Sequence, residues 1–285
     1  MEEHSHPRIL KGIPAREAIR NKLALLVRAF STVPTLVIIQ VGEREDSTIY
    51  IKQKIDFGRS IGVNVIHKKF PHTTHRDELE KEIRYLNQDD TVTAMIVQLP
   101  LPPYIPTDVL ECIDSKKDVD CLTQYHQVQL AKGTMYSSPA TAKAVLTLLT
   151  HYNIPLRGVH VVVVGRSALA GGPIAQLLKL SGAVVSVVHS KTKHPQELTR
   201  TADVLVVACG VPGLVTEAWI NPDIHTVVID VGIHRTEYGV IGDVDAVSVS
   251  PFIQAISPVP GGVGPLTVAC LFEQLVYLHE QGVSQ

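Results

Sequence analysis

Apolar runs alternate with segments of helical spacing along the whole chain. Several runs are continuously apolar, as in parallel strands that are covered on both faces. The predicted strands are residues 35–41, 63–67, 93–98, 160–164, 184–189, 204–208 and 226–230. The predicted helices between them are residues 15–30, 47–61, 76–86, 140–151, 172–181 and 196–201. This order predicts an α/β protein with doubly wound parallel sheets.

The pattern also predicts two domains. The chain has 285 residues, which at about 150 residues per domain allows two separate cores. A turn-rich stretch over residues 133–140 precedes a new helix and the densest valine strand, and a last helix over 266–280 is expected to return to the first domain. We therefore expect a first domain of residues 1–139 plus 265–285 and a second of residues 140–264, with a ligand in the cleft between them.

Composition narrows the classes of function. Lysine and arginine number 26 and aspartate and glutamate 28, a formal net charge of −2, so no global field attracts nucleic acid or an anionic membrane. Four widely spaced cysteines contain no Cys-x-x-Cys pair, which predicts ordinary thiols and neither a metal site nor a disulfide framework. No apolar stretch reaches the roughly 18 residues of a membrane span, and the expected compartment is a reducing cytoplasm.

A glycine-rich turn follows the strand that ends at residue 164. It reads Gly165-Arg166-Ser167-Ala168-Leu169-Ala170-Gly171-Gly172-Pro173 and leads into a predicted helix. Small residues let the backbone approach a pyrophosphate, and the helix N-terminus presents N–H groups to it. Ser167 occupies the second glycine of Gly-x-Gly-x-x-Gly, and the next glycine comes one residue late. The turn indicates a Rossmann-type dinucleotide site, with an ordinary tight βα turn as the alternative.

The end of the next strand indicates which dinucleotide binds. NAD sites usually carry an acidic residue there for the ribose 2′-hydroxyl, roughly 20 residues after the turn. This chain instead has His189-Ser190-Lys191-Thr192-Lys193. A hydroxyl and two lysines, with Arg166 on the preceding loop, suit a 2′-phosphate and favour NADP over NAD. The alternative is that both lysines belong to a solvated loop.

The second predicted helix carries a candidate acid/base pair. Ser47, Tyr50 and Lys54 lie at spacings of three and four, which places them on one helical face. Burial or a like charge lowers a lysine pKa, and a cation favours phenolate, so such a pair can move protons. A surface lysine beside a half-buried tyrosine is the alternative. The pair resembles the Tyr-x-x-x-Lys of short-chain dehydrogenases, but here it precedes the nucleotide turn, which argues against that family.

Polar residues and glycines also stand at predicted strand ends and in the last loop. Carboxyl ends of strands are where open α/β sheets place their sites, so Gln98 is placed to orient a lysine and Asp120 to accept hydrogen bonds from an amino-heterocycle. The loop over residues 257–265 combines prolines with three glycines, which permits close backbone approach to a planar ligand. Strand stops, turn-forming aspartates and an interdomain linker are the corresponding alternatives.

Taken together, these segments resemble the bifunctional methylenetetrahydrofolate dehydrogenase/methenyltetrahydrofolate cyclohydrolase family, over essentially the whole chain. The motifs that carry the resemblance appear in the family's order. They are Ser47-x-x-Tyr50-x-x-x-Lys54, Gln98-Leu99-Pro100-Leu101-Pro102, Lys117-Asp118-Val119-Asp120, Gly165-Arg166-Ser167, Asp230-Val231-Gly232-Ile233, Gly242-Asp243-Val244 and the segment from Pro258 to Pro265. The last of these motifs is highly specific.

The resemblance implies roles for individual residues. Lys54 matches the general acid/base of the cyclohydrolase step, Tyr50 a tyrosine that packs on the folate, Gln98 the glutamine that tunes the lysine, and Asp120 the aspartate that holds the pterin ring. These four are the implied catalytic residues, and they also bind substrate. The other implied substrate-lining residues are Val97, Leu99, Pro260, Gly261, Gly262, Val263 and Gly264. The implied NADP contacts are Gly165, Arg166, Ser167, Ser190 and Ile233.

The implied protein is a bifunctional enzyme of one-carbon metabolism that serves purine biosynthesis, with a folate-binding first domain and an NADP-binding second domain. Hydride leaves the methylene bridge of 5,10-methylenetetrahydrofolate for C4 of the nicotinamide, giving the methenyl cation. Water then adds, and ring opening with proton transfer through Lys54 yields 10-formyltetrahydrofolate. Holding the hydride donor and acceptor in register is mainly an orientation task. The resemblance also implies a homodimer through the nucleotide domain.

The chain departs from the family's pattern at several positions. The family's Pro-Cys-Thr-Pro-x-Gly segment is here Pro139-Ala140-Thr141-Ala142-Lys143-Ala144. Cys121 stands where a glycine is usual, Ala168 and Gly172 replace an asparagine and a lysine, and Ser257 replaces a threonine. None of these changes removes a proton-transfer group, so we expect both activities.

Two rival hypotheses stay open from the sequence. A shikimate-dehydrogenase-like enzyme would share the two-domain architecture but not the pocket, and the loop from Pro258 to Pro265 speaks against it. A non-catalytic folate- or nucleotide-binding protein would explain the changed segment over residues 140–144. The presence of Tyr50, Lys54, Gln98 and Asp120 argues against that second hypothesis.

Overall fold

The computed structural model describes residues 6–237 and 239–283. The strands in these ranges are β1 (Arg8–Ile9), β2 (Thr35–Val41), β3 (Asn64–Phe70), β4 (Ala94–Val97), β5 (His160–Val164), β6 (Val184–Val188), β7 (Val204–Val207), β8 (Val227–Asp230), β9 (His234–Thr236), β10 (Gly239–Ile241) and β11 (Ala255–Ile256). The α-helices are α1 (Gly12–Ala29), α2 (Glu45–Ile61), α3 (Arg76–Gln88), α4 (Gln124–Ala131), α5 (Ala140–His151), α6 (Gly171–Leu180), α7 (Pro195–Thr199), α8 (Ala246–Val249) and α9 (Val263–Val283).

The chain divides into two compact units, which we name by their sheets. The six-stranded unit comprises Met1–Arg16 and Gly133–Thr267, and the three-stranded unit comprises Glu17–Lys132 and Val268–Gln285, each over its described residues. Helices α1 and α9 both begin in the six-stranded unit and continue in the three-stranded unit. Neither these two helices nor any other helix in the described ranges is long and apolar enough to cross a membrane.

The three-stranded unit has a parallel sheet of order β3-β2-β4. Strand β2 is buried along its whole length, as its unbroken run of apolar residues predicts for a central parallel strand. Buried residues of α3 share a core with β2 and β4. The last helix joins this unit from Val268 onward, where Phe272 of α9 packs its ring 5.3 Å from that of Phe57 on α2.

The six-stranded unit has a parallel sheet of order β1-β11-β8-β7-β5-β6, and β9 and β10 form a separate antiparallel hairpin. From β5 the chain goes to β6 on one side and then returns to β7 on the other side of β5. The gap between the carboxyl ends of β5 and β7 is therefore the switch point of the topology. Ligands of open α/β sheets bind at such a point.

The predicted α/β class with parallel sheets is confirmed, and predicted strands 35–41 and 160–164 match β2 and β5 residue for residue. The N-terminal segment differs from the expected first domain of residues 1–139. Arg8 and Ile9 pair with Ala255 and Ile256, so β1 lies in the six-stranded sheet. Strands of two residues have no periodicity that a sequence pattern can reveal, and β1 and β11 were not predicted for this reason.

Candidate active site

Helix α2 of the three-stranded unit carries the three polar side chains that were predicted to share one helical face. Gly62 ends the helix with φ 86° in the left-handed region, which glycine adopts without a steric penalty. Ser47 is buried in this helix, and Tyr50 and Lys54 are half-buried. The helix therefore turns these three side chains toward the protein and not toward bulk solvent, as their spacing predicts.

Lys54 contacts the glutamine that was singled out from the sequence. Its Nζ donates a hydrogen bond of 3.0 Å to Oε1 of Gln98. Gln98 follows β4, and its backbone N–H donates to the carbonyl of Ile39 while its Nε2 donates to the carbonyl of Leu99 at 2.9 Å. Because the amide nitrogen is engaged with a carbonyl, the amide oxygen is fixed toward the lysine. The side chains of the two neighbours of Gln98 belong to the hydrophobic core of this unit. Val97 is buried in that core, and Leu99 packs against the core.

Burial controls the protonation of Lys54 and Asp120. Burial lowers the pKa of Lys54 from its ordinary value, and the negative charge of Asp120 opposes this shift. Burial likewise raises the pKa of Asp120, against the favourable charge of Lys54, while Asp118 adds to the increase. A lysine whose pKa falls toward neutrality can both accept and donate a proton, which is the property that a general acid/base requires.

The segment from Lys117 to Asp120 is anchored by its first two residues, to which the sequence assigned no role. Lys117 Nζ donates to the carbonyls of Leu86 and Asp89, at 2.9 and 2.7 Å, at the carboxyl end of α3. Asp118 is buried, forms a parallel bridge with Met95 of β4, and accepts the N–H of Thr123 at 2.9 Å. The sequence signal that could have indicated these roles is that both residues stand in one short motif with Asp120. They extend the sheet by one bridge and fix the backbone that carries Asp120.

The glycine turn lies at the switch point of the six-stranded sheet. Gly165 has φ 116°, and a Cβ built on it would lie 2.1 Å from the carbonyl oxygen of Ala208 after β7. A Cβ on Gly171, the first residue of α6, would lie 2.3 Å from the carbonyl oxygen of Gly165. Arg166 and Ser167 are exposed between these glycines. The turn is thus packed so closely that only glycine fits at either end, and it leaves a guanidinium and a hydroxyl outward.

Ser190 stands two residues beyond β6, the neighbour of β5 in the sheet. Its side chain is exposed, as are those of Lys191 and Lys193. The loop is shaped by the N–H of His189, which donates to Thr192 Oγ1 at 3.0 Å. An exposed hydroxyl and two exposed cations at this strand end are a set of groups that suits a phosphate.

The structure also brings together the segment after β8 and the loop that precedes α9, both of which were predicted to bind a ligand. Ile233 follows β8, and its Cδ1 lies 3.4 Å from where a Cβ on Gly264 would be. The loop with Pro260 and Val263 is closed by the N–H of Gly262, which donates to the carbonyl of Pro258 at 2.7 Å, and Val263 begins α9. The isoleucine expected at the nucleotide and the loop expected at the folate are therefore in contact.

Sequence reasoning missed Gly12, the first residue of α1. Its N–H donates to the carbonyl of Gly261 at 2.8 Å. A Cβ on Gly12 would lie 2.0 Å from the carbonyl oxygen of Gly262, so a larger residue would displace this loop. A lone glycine before an isoleucine and a proline carries no distinctive signal, because the residues that constrain it are distant in sequence.

Comparison with known proteins was made against this geometry. Residues 10–120 match the family described as tetrahydrofolate dehydrogenase/cyclohydrolase, catalytic domain, and residues 139–283 match the NAD(P)-binding domain of the same family. The Bifunctional protein FolD 2 of Lactobacillus johnsonii is 39% identical over 275 residues, which are 95% of this chain and 97% of that relative.

Two solved structures are similar over nearly their whole length. The bifunctional FolD methylenetetrahydrofolate dehydrogenase/cyclohydrolase of Campylobacter jejuni has a TM-score of 0.92 at 36% identity, covering 96% of this chain and 98% of that chain. The Trypanosoma brucei methylenetetrahydrofolate dehydrogenase-cyclohydrolase, complexed with NADP cofactor and inhibitor, has a TM-score of 0.91 at 33% identity, covering 98% and 99%. The chain belongs to the tetrahydrofolate dehydrogenase/cyclohydrolase family.

Proposed function

We propose that this protein oxidises 5,10-methylenetetrahydrofolate to 5,10-methenyltetrahydrofolate with NADP and hydrolyses the methenyl product to 10-formyltetrahydrofolate. The observation that carries the proposal is the half-buried Lys54, whose amine is held 3.0 Å from Gln98 and whose pKa burial lowers. Membership of the family supports this assignment, since its matched models are a dehydrogenase/cyclohydrolase catalytic domain and an NAD(P)-binding domain.

Lys54 carries the proton transfers of the hydrolytic step. The neutral amine accepts a proton from the water that adds to the methenyl carbon. The resulting ammonium then gives its proton to N5 of the folate as the bond between N5 and that carbon breaks. The hydroxyl proton of the adduct passes to solvent, and the formyl group remains on N10. Gln98 holds the amine through its fixed amide oxygen. Asp120, whose carboxyl group lies near Lys54, holds the pterin ring.

Tyr50 lies one helical turn before Lys54 on the same face of α2 and packs on the folate. Val97 and Leu99, which flank Gln98, belong to the same pocket wall through their backbone, since their side chains are directed to the core. Pro260 to Gly264 supply a folate-lining loop in the six-stranded unit. These roles rest on the match of each residue to the family's motifs.

The six-stranded unit is proposed to bind NADP, which supplies the hydride acceptor when it is bound. The residues fit this group, because Gly165 and Gly171 allow the tight turn between β5 and α6, and such a turn brings backbone N–H groups and a helix N-terminus to a pyrophosphate. Arg166 and Ser167 on the turn and Ser190 after β6 present exposed polar groups to the phosphates. Ile233 offers an apolar contact to the nicotinamide nucleotide.

Replacement of the lysine tests the hydrolytic half of the proposal. We expect Lys54→Met to reduce hydrolysis of methenyltetrahydrofolate by about 10²- to 10⁴-fold, the usual contribution of a general acid/base, and to leave NADPH binding unchanged. Lys52→Met is the matched control, because Lys52 is exposed on the same helix. Hydrolysis of methenyltetrahydrofolate by Lys54→Met at the rate of the unaltered protein would refute the role of Lys54.

A paired assay tests the whole proposal. The oxidation of methylenetetrahydrofolate is followed with NADP and with NAD, and the hydrolysis of methenyltetrahydrofolate is followed without nucleotide. We expect turnover in both halves and a preference for NADP. Absence of oxidation with either nucleotide contradicts the dehydrogenase function, and turnover of a small hydroxy acid without folate binding would favour the shikimate-dehydrogenase-like alternative.

We also propose a cytoplasmic homodimer that forms through the six-stranded unit. Strand β6 ends that sheet, and Val184 and Val187 on it are 59% and 38% exposed, an apolar edge that a second copy can cover. Val184→Lys is expected to shift the sedimentation of the protein toward the monomer, and an unchanged dimer contradicts this interface.

A further inference from the structure

The aspartates of two sequence motifs have no role in the mechanism so far, and the structure joins the two motifs at one carboxylate. Asp243 of the segment Gly242-Asp243-Val244 is fully buried. Its Oδ2 accepts the N–H groups of Cys209 and Gly210 at 2.7 and 2.8 Å. Its Oδ1 accepts a bond of 2.7 Å from Nε2 of His234, which directly follows Asp230-Val231-Gly232-Ile233.

The groups that bond to Asp243 follow β7 and β8, at the edge of the sheet where the nucleotide is proposed to bind. Cys209 follows β7 on the side where the glycine turn is packed, and a Cβ on Gly165 would lie 3.2 Å from the Cα of Cys209. His234 is the next residue after Ile233. One buried carboxylate therefore ties the segment beneath the glycine turn to the segment that carries Ile233.

Asp230 holds this carboxylate in place from the end of β8. Its Oδ1 accepts the N–H of Asp243 at 3.0 Å, and its Oδ2 accepts the N–H of Val244 at 3.0 Å. A Cβ on Gly242 would lie 1.8 Å from Asp230 Oδ2, and one on Gly232 would lie 2.2 Å from Asp243 Oδ1. The glycines of both motifs are thus required by the close approach of the backbone to these two carboxylates.

We propose that Asp243 is a positioning residue of the dehydrogenase site, and that it holds Ile233 against the nicotinamide nucleotide by fixing His234 to the Cys209–Gly210 segment. This inference rests on the proposed function. Hydrogen bonds to a buried carboxylate are among the stronger ones in proteins. Loss of the histidine bond is therefore expected to release the segment after β8 while the glycine turn and the hydrolytic residues of the three-stranded unit stay intact.

The test compares two replacements of His234 with a control. We expect His234→Ala to raise the Kd for NADPH, measured by nucleotide fluorescence without folate, and the KM for NADP by about tenfold, the effect of losing one such bond. Hydrolysis of methenyltetrahydrofolate is expected to change by less than about twofold, because Lys54, Gln98 and Asp120 lie in the other unit. His234→Gln is expected to recover most of the affinity, because its amide can donate to Asp243. His225→Ala, an exposed histidine of the same unit, is the control.

Asp243→Asn is the direct variant and is expected to weaken NADPH binding more than His234→Ala, because it weakens all three bonds. If Asp243→Asn does not fold, the two His234 variants still decide the matter. Unchanged NADPH affinity in His234→Ala overturns the inference, and so does an equal fall of both activities, which a merely structural role would produce. Failure of the proposed function is distinct, since the unaltered protein would then turn over neither methylenetetrahydrofolate nor methenyltetrahydrofolate, whatever its affinity for NADPH.

Discussion

The pKa of Lys54, the proposed acid/base residue, is set by two opposing influences, burial and the charge of Asp120. The amine of Lys54 donates a hydrogen bond of 3.0 Å to a neutral partner, the amide oxygen of Gln98. A neutral acceptor orients the amine without favouring the ammonium as a carboxylate would. This partner therefore does not oppose the lowering of the Lys54 pKa by burial.

Gln98→Glu tests this account of Lys54. A carboxylate at this distance raises the pKa of the lysine, so the limb of the pH–rate profile that reports the neutral amine is expected to move to higher pH by about one unit. The measurement is hydrolysis of methenyltetrahydrofolate as a function of pH. Gln88→Glu, at an exposed position of α3, is the matched control and is expected to leave the profile in place. A profile that Gln98→Glu does not move would contradict the account.

Cys121 is another residue with a local constraint, because it has φ 54° and is fully buried. The left-handed region costs a residue with a side chain roughly 1 kcal/mol relative to glycine. We therefore expect Cys121→Gly to unfold with a free energy about 1 kcal/mol higher than Cys121→Ala in urea titrations. Cys270, buried in helix α9, provides the control, where alanine is expected to be the more stable variant by a similar margin. The same order at both positions would show that the backbone of Cys121 is unstrained.

The sequence pattern named candidate side chains but not the contacts that hold them. Lys54, Gln98 and Asp120 were all named from motifs and strand ends, and the structure links Lys54 to both others. Gly12 and His234 were not named, because their importance depends on contacts with residues distant in sequence or on a buried partner. The changed segment over residues 140–144 forms the first turns of α5, where Ala140, Ala142 and Ala144 are buried.

At the scale of elements, Asp230 joins the end of β8 to the segment that follows β10. This carboxylate accepts three backbone N–H groups, yet burial and the nearby charge of Asp243 raise its pKa from 3.8 to about 6. Burial is the largest influence, and the three N–H groups oppose it. The connection between these elements is therefore more stable when Asp230 is protonated than when it is charged.

The free energy of unfolding should therefore depend on pH through the titration of Asp230. Because the pKa of Asp230 is raised in the folded protein, the folded state binds more protons than the unfolded state between about pH 4 and about pH 6, and stability falls as the pH rises through that range. From about pH 5 to about pH 7.5, Asp230 should cost the unaltered protein roughly 1 kcal/mol of unfolding free energy. Urea unfolding of Asp230→Asn at both pH values is expected to lack this loss. An identical pH dependence in both proteins would contradict the raised pKa.

The sequence predicted the elements that are defined by local patterns and missed those that depend on residues distant in the chain. Helix α5 was predicted to the residue, since its apolar spacing and Pro139 define it locally. The hairpin of β9 and β10 was not predicted, because strands of three residues carry too little alternation. The pairing of β1 with β11 depends on residues that are far apart in the chain, so no local pattern could place the N-terminal segment in the six-stranded sheet.

At the scale of the whole molecule, the chemistry of the two proposed half-reactions is divided between compact units. Lys54, Gln98 and Asp120 belong to the three-stranded unit, and the glycine turn with Ser190 belongs to the six-stranded unit. Damage to the turn should therefore remove one activity and spare the other. Gly165 is the position to change, because a Cβ there would collide with the carbonyl oxygen of Ala208 at 2.1 Å.

We expect Gly165→Ala to weaken NADPH binding by at least about tenfold and to lower oxidation of methylenetetrahydrofolate in proportion, because the turn must move away from β7 to admit the methyl group. Hydrolysis of methenyltetrahydrofolate should persist. Gly158→Ala is the matched control, since Gly158 has φ 75° in the same unit but meets no atom within 4 Å. It carries the conformational penalty of a left-handed residue, about 1 kcal/mol, without the collision. Equal loss of NADPH binding in both variants would mean that general destabilisation, and not the close packing of the turn, governs the nucleotide site.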